Sequence, residues 1–223
     1  LKRLFYGAGY HVVQLSSPTS FDFIAAASRY ATPGYSPGDA KDLYRVMQAV
    51  RAQQHELSVT DFNLVGYSLG ALNAAFVSKL DETRQSFNFK RVLMINPPVN
   101  LYTSISNLDK LVQTQVDAID STTTFYEVIL EKLTRYYRQQ GTINLDEAML
   151  FDFQQSALRL TDEQMAMLIG SVFRFSAADI AFTSDLINRR GLIVPPKYPI
   201  DEGTSLEPFF RRALLCDFDC YIT

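Results

Sequence analysis

The sequence predicts an α/β architecture, with a parallel sheet in its first hundred residues, on three observations. Short apolar, strand-like runs alternate with longer helix-like segments up to about residue 100. A Gly-x-Ser-x-Gly segment, Gly66 to Gly70, joins one of those runs directly to an alanine-rich helical pattern. From residue 101 onward helical patterns replace strand patterns, so the chain divides into a sheet-containing part, 1–100, and a mainly helical part, 101–223. Strands that alternate with helices imply parallel pairing through right-handed crossovers.

Taken in order, Leu1 to Tyr6 reads as helix, and Gly7 and Gly9 lead into Tyr10–Ser16. That run is β-branched and apolar, and it leaves through Ser-Ser-Pro, which predicts a short buried strand. Residues 38–54 carry Leu43, Val46, Met47 and Val50 at three- and four-residue spacing, with Asp39 as a candidate N-cap, and predict a helix. Phe62 to Val65 predicts the next strand, Leu69 to Lys79 a helix, and Arg91 to Asn96 a third strand stopped by Pro97 and Pro98.

The chemistry is stated at Ser68. A strand that turns at once into a helix forces its corner residue into a strained backbone conformation and holds the side chain clear of the sheet edge. Gly66 and Gly70 are expected where a Cβ would collide with neighbouring backbone. Leu69 would then present its backbone N–H, at the positive end of the helix dipole, to an oxyanion. Tyr67 flanks the serine and is expected to shape a pocket beside it. The competing reading is a tight strand-to-helix turn in some other α/β protein, with Ser68 merely capping the helix.

With Gly66, Tyr67, Ser68, Leu69 and Gly70 in this context, the segment resembles the nucleophile elbow of the α/β-hydrolase superfamily. The resemblance covers about the first hundred residues and implies a partial α/β-hydrolase parallel sheet. It implies Ser68 as nucleophile and Leu69 as an oxyanion donor, acting on a carboxylic ester or lipid-like acyl substrate. No cofactor and no metal are implied. Transfer of the acyl group to an alcohol instead of water would use the same residues.

In that family an acid and then a histidine follow the serine. Here the only histidines, His11 and His55, both precede Ser68. His11 falls at the predicted start of a strand and His55 in a polar stretch after a helix, and neither matches the position of a base. Asp201 is a candidate acid, but the prolines around it favour a surface turn. Leu1 is not an initiator methionine, and Ser205–Thr223 has a helical pattern without a stop signal, so an internal fragment of a longer hydrolase is expected. Its acid, histidine and Gly-rich oxyanion loop would lie outside this chain. The alternative is a non-catalytic, α/β-hydrolase-like binding module with a vestigial elbow.

In the second part, Phe125 to Gln140 and Leu145 to Leu158 predict helices. Thr161 to Gln164 has the form of a capping box before Met165 to Phe175. Ser176 is a candidate cap for a separate helix, Ala177 to Arg190, ended by Gly191, and Leu192 to Ile200 reads as a proline-rich connector. The resemblance implies a long helical cap or lid, a subset of whose Phe, Tyr, Met and Leu residues would line an acyl pocket. Most of them are better read as the region's own core.

Composition excludes several classes. A net charge of −3 and a pI near 5.4 give no reason to expect nucleic acid or an anionic membrane surface. No run of eighteen consecutive apolar residues occurs, so no transmembrane segment is expected. No signal or transit segment is visible. Cys216 and Cys220 fit buried or free thiols better than a metal site, since no histidine lies near them.

Overall fold

The computed structural model of the chain describes residues 1–29, 32–116, 161–201, 203 and 205–215. Seven helices and two strands are described: α1 (Lys2–Gly7), α2 (Phe21–Ala26), α3 (Ser36–Gln53), β1 (Asn63–Tyr67), α4 (Leu69–Arg84), β2 (Arg91–Ile95), α5 (Leu101–Val116), α6 (Asp162–Asn188) and α7 (Glu207–Leu215). The predicted helices 125–140 and 145–158 lie outside the described residues, as do Cys216 and Cys220. Two compact units form: Leu1–Asn100 with Asp179–Ala213, and Leu101–Ala178 with Leu214–Thr223.

The first unit is α/β. β1 and β2 pair in parallel, Asn63 opposite Arg91 through Tyr67 opposite Ile95, with α4 as the crossover. α4 packs on both strands, and α3 packs on α4. The core cluster is Phe23, Ala40, Leu43, Tyr44, Val77 and Phe87, with Val46, Met47 and Leu64 packed against it. The three- and four-residue spacing of α3 therefore marks its buried face. Full burial of side chains as large as Tyr44 and Val77 stabilises by about 1.5–3 kcal/mol each.

Among the described residues the sheet has two strands, not three. Tyr10–Ser16 forms no strand. Its composition suits a pleated surface, but a strand needs a neighbouring backbone to pair with, and among the described residues β1 pairs with β2 alone. Of this run, Leu15 packs against the core cluster, while Tyr10 and Val13 are exposed. The short helix α2, which the sequence did not signal, contributes Phe23 and Ile24 to the interior instead.

Asp39 is not the N-cap of α3; that position is Tyr35. Asp39 lies inside the helix, buried, and its carboxylate accepts a hydrogen bond from the Gly34 N–H at 2.9 Å. Asp42 likewise accepts from the Arg29 N–H at 2.9 Å and pairs with Arg45 at 2.8 Å, and Arg45 also donates to the Ala27 carbonyl. These bonds tie Ala27, Arg29 and Gly34 to α3. Desolvation pushes the Asp39 pKa up from 3.8 to about 6; the Gly34 N–H opposes the shift and the Asp42 charge adds to it. Because the folded-state pKa is raised, ionising Asp39 costs stability as pH rises from about 4 to 6. Asp39→Asn is expected to stabilise the fold by about 2 kcal/mol at pH 7 and by little at pH 4, read from urea midpoints at the two pH values.

At the far end of α4, Asp81 clamps the turn into β2. Its buried carboxylate accepts hydrogen bonds from the Tyr44 hydroxyl at 2.5 Å and from the N–H groups of Phe87 and Phe89 at 3.1 and 3.3 Å. The Tyr44 oxygen in turn accepts from the Ser86 N–H at 3.0 Å, and Phe87 sits edge-on to Tyr44 and Phe62. Burial alone would raise the Asp81 pKa, but the Tyr44 hydroxyl and the backbone donors outweigh it and hold the group below its ordinary value. The stabilisation is therefore present above about pH 4 and is lost as pH falls through the lowered pKa. Asp81→Ala leaves a buried hydroxyl and two N–H groups unpaired. It is expected to cost about 3 kcal/mol at pH 7, with the deficit shrinking below pH 4, as measured by chemical denaturation.

The second unit and its neighbour share α6, within which the division falls. The capping box is present: the Gln164 N–H donates to Thr161 Oγ1, and the Thr161 N–H donates to Gln164 Oε1, both at 3.2 Å. Ser176 does not start a new helix. Its hydroxyl donates to the Val172 carbonyl at 2.8 Å, one turn back, so α6 runs unbroken to Asn188. The helix stops where Arg189 and Gly191 take positive φ, and Asp185 accepts the N–H groups of Leu192, Ile193 and Val194. Arg174 pairs with Asp109 of α5 at 2.7 Å. Among the described residues one helix, α6, is long and apolar enough to cross a membrane, by length and composition alone. A count of consecutive apolar residues misses it because single polar residues interrupt an otherwise apolar stretch.

Candidate active site

β1 ends at Tyr67 and α4 begins at Leu69, leaving Ser68 as the whole connection. Ser68 has φ 52° and ψ −123°, a combination that L-residues rarely adopt and that lies well away from the ordinary left-handed well. Such a conformation costs on the order of 1–3 kcal/mol and persists only where its surroundings impose it. Here they do so through the backbone. The Ser68 N–H donates to the Ile95 carbonyl at 2.9 Å, extending the ladder one residue past the strand, while the Ser68 carbonyl accepts from Ala71 and Leu72. The residue is at once the last of a sheet and the first of a helix.

The two glycines of the motif differ in role. A Cβ on Gly66 would lie 2.1 Å from the Gly70 carbonyl oxygen and 2.6 Å from the Ala71 nitrogen, so helix backbone rests directly on strand backbone there. Gly70 is exposed, and a Cβ on it would meet nothing within 4 Å. The expected collision at Gly70 is therefore absent. The close approach is needed once, and Gly66 supplies it.

Ser68 is exposed and its hydroxyl makes no capping hydrogen bond to α4. The Leu69 and Gly70 N–H groups open the helix and have no acceptor among the described residues, whereas Ala71 and Leu72 are satisfied by the Ser68 carbonyl. A hydroxyl and unclaimed backbone donors thus share the corner. Tyr67, beside them, is half exposed.

His11 and His55 are both exposed and lie outside helix and strand, and neither bonds to Ser68. Asp201 is exposed in an irregular stretch. Among the described residues no group of three or more His, Cys, Asp or Glu side chains is placed to hold a metal. A groove of about 340 Å³ sits at the C-terminal end of α4, lined by Ser78, Asp81, Glu82, Gln85, Asn88 and Phe89. It lies at the opposite end of the helix from Ser68, and its buried carboxylate is already committed to the clamp described above.

Two residues near the corner escaped the sequence reading. Asn96 follows β2 as Ser68 follows β1, has φ 50°, and is exposed. An asparagine ahead of two prolines was its only signal. Asn73, in the second turn of α4, is buried with both amide heavy atoms unpaired among the described residues. Nothing in the sequence distinguished it from a surface asparagine.

Compared with known proteins, the chain matches no protein-family model, no curated protein and no solved structure.

Proposed function

We propose that this chain carries the nucleophile of a serine hydrolase of the α/β-hydrolase type, acting on a carboxylic ester or lipid-like acyl substrate. One observation carries the reading. Ser68 occupies a strained corner between strand and helix, and its exposed hydroxyl is not used to cap the helix. A serine present only to cap would accept a hydrogen bond from an N–H of the first helical turn and would adopt ordinary extended torsions.

In the proposed reaction Ser68 Oγ attacks the substrate carbonyl carbon as a general base takes the hydroxyl proton. The resulting tetrahedral oxyanion is held by the Leu69 N–H, at the positive end of α4. Collapse breaks the ester C–O bond, and the base returns its proton to the departing alcohol. Water then attacks the acyl-serine by the same route, releasing the acid and restoring Ser68. Neither His11 nor His55 serves as the base. Tyr67, half exposed beside the serine, would shape the acyl pocket.

The second reading, a binding module with an inert elbow, is favoured by one observation: neither His11 nor His55 is hydrogen-bonded to Ser68. The full-length protein is expected to hydrolyse a short-chain p-nitrophenyl ester, and Ser68→Ala to abolish that turnover. Equal turnover by both proteins would remove the hydrolase reading.

A further inference from the structure

β1 and β2 are parallel and in register through Tyr67 and Ile95, so the next pair beyond the strand ends is Ser68 and Asn96. Adjacent strands lie about 4.8 Å apart, and the Ser68 N–H to Ile95 carbonyl bond shows that the ladder holds to this point. The two residues therefore leave the same sheet edge side by side. Both do so at positive φ, 52° and 50°. Asn96 carries an added constraint, because Pro97 follows it and proline presses the preceding residue toward extended backbone. Its side chain is exposed and has no hydrogen-bond partner among the described residues.

An asparagine tolerates positive φ better than most residues, and a turn alone would account for it. Glycine would serve such a turn at lower cost, however, and among the described residues nothing bonds to the amide group that asparagine adds. Strained residues with unspent polar groups concentrate where a ligand is met.

We propose that Asn96 is a substrate-contacting residue that sets acyl specificity at Ser68, a proposal that rests on the hydrolase reading above. Its amide offers one donor group and one acceptor on a residue whose backbone lies about one strand spacing from that of the nucleophile. It selects acyl groups that carry a hydroxyl or similar hydrogen-bonding group close to the scissile carbonyl over plain alkyl chains.

The test compares p-nitrophenyl 3-hydroxybutyrate with p-nitrophenyl butyrate on the full-length protein. Wild type is expected to prefer the hydroxyacyl ester. Asn96→Gly, which keeps the turn and removes the amide, is expected to lower that ratio of kcat/KM about 10-fold, through KM, with thermal stability equal or higher. Asn96→Asp, which keeps the shape and removes the donor, is expected to lower it as well and guards against a folding defect in the glycine variant. An unchanged ratio in folded variants would overturn the role of Asn96 while wild-type turnover still supported Ser68. No turnover of either ester by wild type would overturn both.

Discussion

Gly66→Ala is expected to abolish cooperative folding of the α/β unit, while Gly70→Ala, four residues away in the same motif, is tolerated or mildly stabilising. A methyl group on Gly66 would meet the Gly70 carbonyl oxygen at 2.1 Å, its carbon at 2.4 Å and the Ala71 nitrogen at 2.6 Å. All three are backbone atoms of the first turn of α4, so no rotamer change relieves the contact, and the whole helix must lift from β1. α4 is also the element that carries Val77 and Asp81 into the core and onto the β2 turn, so lifting it disturbs the unit's centre. Overpacking against mobile side chains costs about 1–3 kcal/mol; against fixed backbone the cost should reach about 4 kcal/mol or more. That is a large share of the roughly 5–15 kcal/mol available to a domain. Gly70 faces open space in a helix, and alanine there gains up to about 1 kcal/mol in helix propensity. Urea denaturation of the two variants measures this. Equal midpoints would show that helix and strand are not in backbone contact at Gly66.

The second large effect is at Ser68. Ser68→Ala is expected to reduce ester turnover by about 10⁴-fold or more, because the attacking atom is gone while the oxyanion donor remains. Ser68→Gly should be as inactive yet more stable than Ser68→Ala by about 1–3 kcal/mol. Both variants lose the hydroxyl, but only alanine keeps a Cβ at φ 52°. The pair separates the chemical role of the side chain from the conformational cost of holding it. A glycine variant no more stable than the alanine variant would mean that the corner is relaxed, and the reason for placing a nucleophile there would go with it.

The parts of this architecture that are local in sequence were the parts that could be read. α3, β1, α4 and β2 each announce themselves through the spacing of their own residues, and the corner at Ser68 lies between two of them. Tyr10–Ser16 shows the limit. Its residues favour a strand, but whether a strand forms depends on a pairing partner elsewhere in the chain, which composition does not reveal. Ser176 failed for a related reason. A serine between two apolar stretches reads as a cap, yet the same hydroxyl can turn back onto the Val172 carbonyl and let the helix continue. Asp39 reads as a helix cap and Asp81 carries no signal of its own, and only tertiary packing reveals that one is buried at a cost and the other is satisfied by a hydroxyl and backbone donors. At the corner itself, sequence indicated Gly66 and Ser68 and overstated Gly70. Asn96 emerges only from the strand register, which sets it beside Ser68.

Labelling of the full-length protein with a fluorophosphonate probe, followed by peptide mapping, tests the role of Ser68 most directly. A single modified peptide bearing the adduct on Ser68, lost in the Ser68→Ala variant, is the expected result. Labelling of the two proteins to the same extent, or an adduct on any other residue, would contradict it.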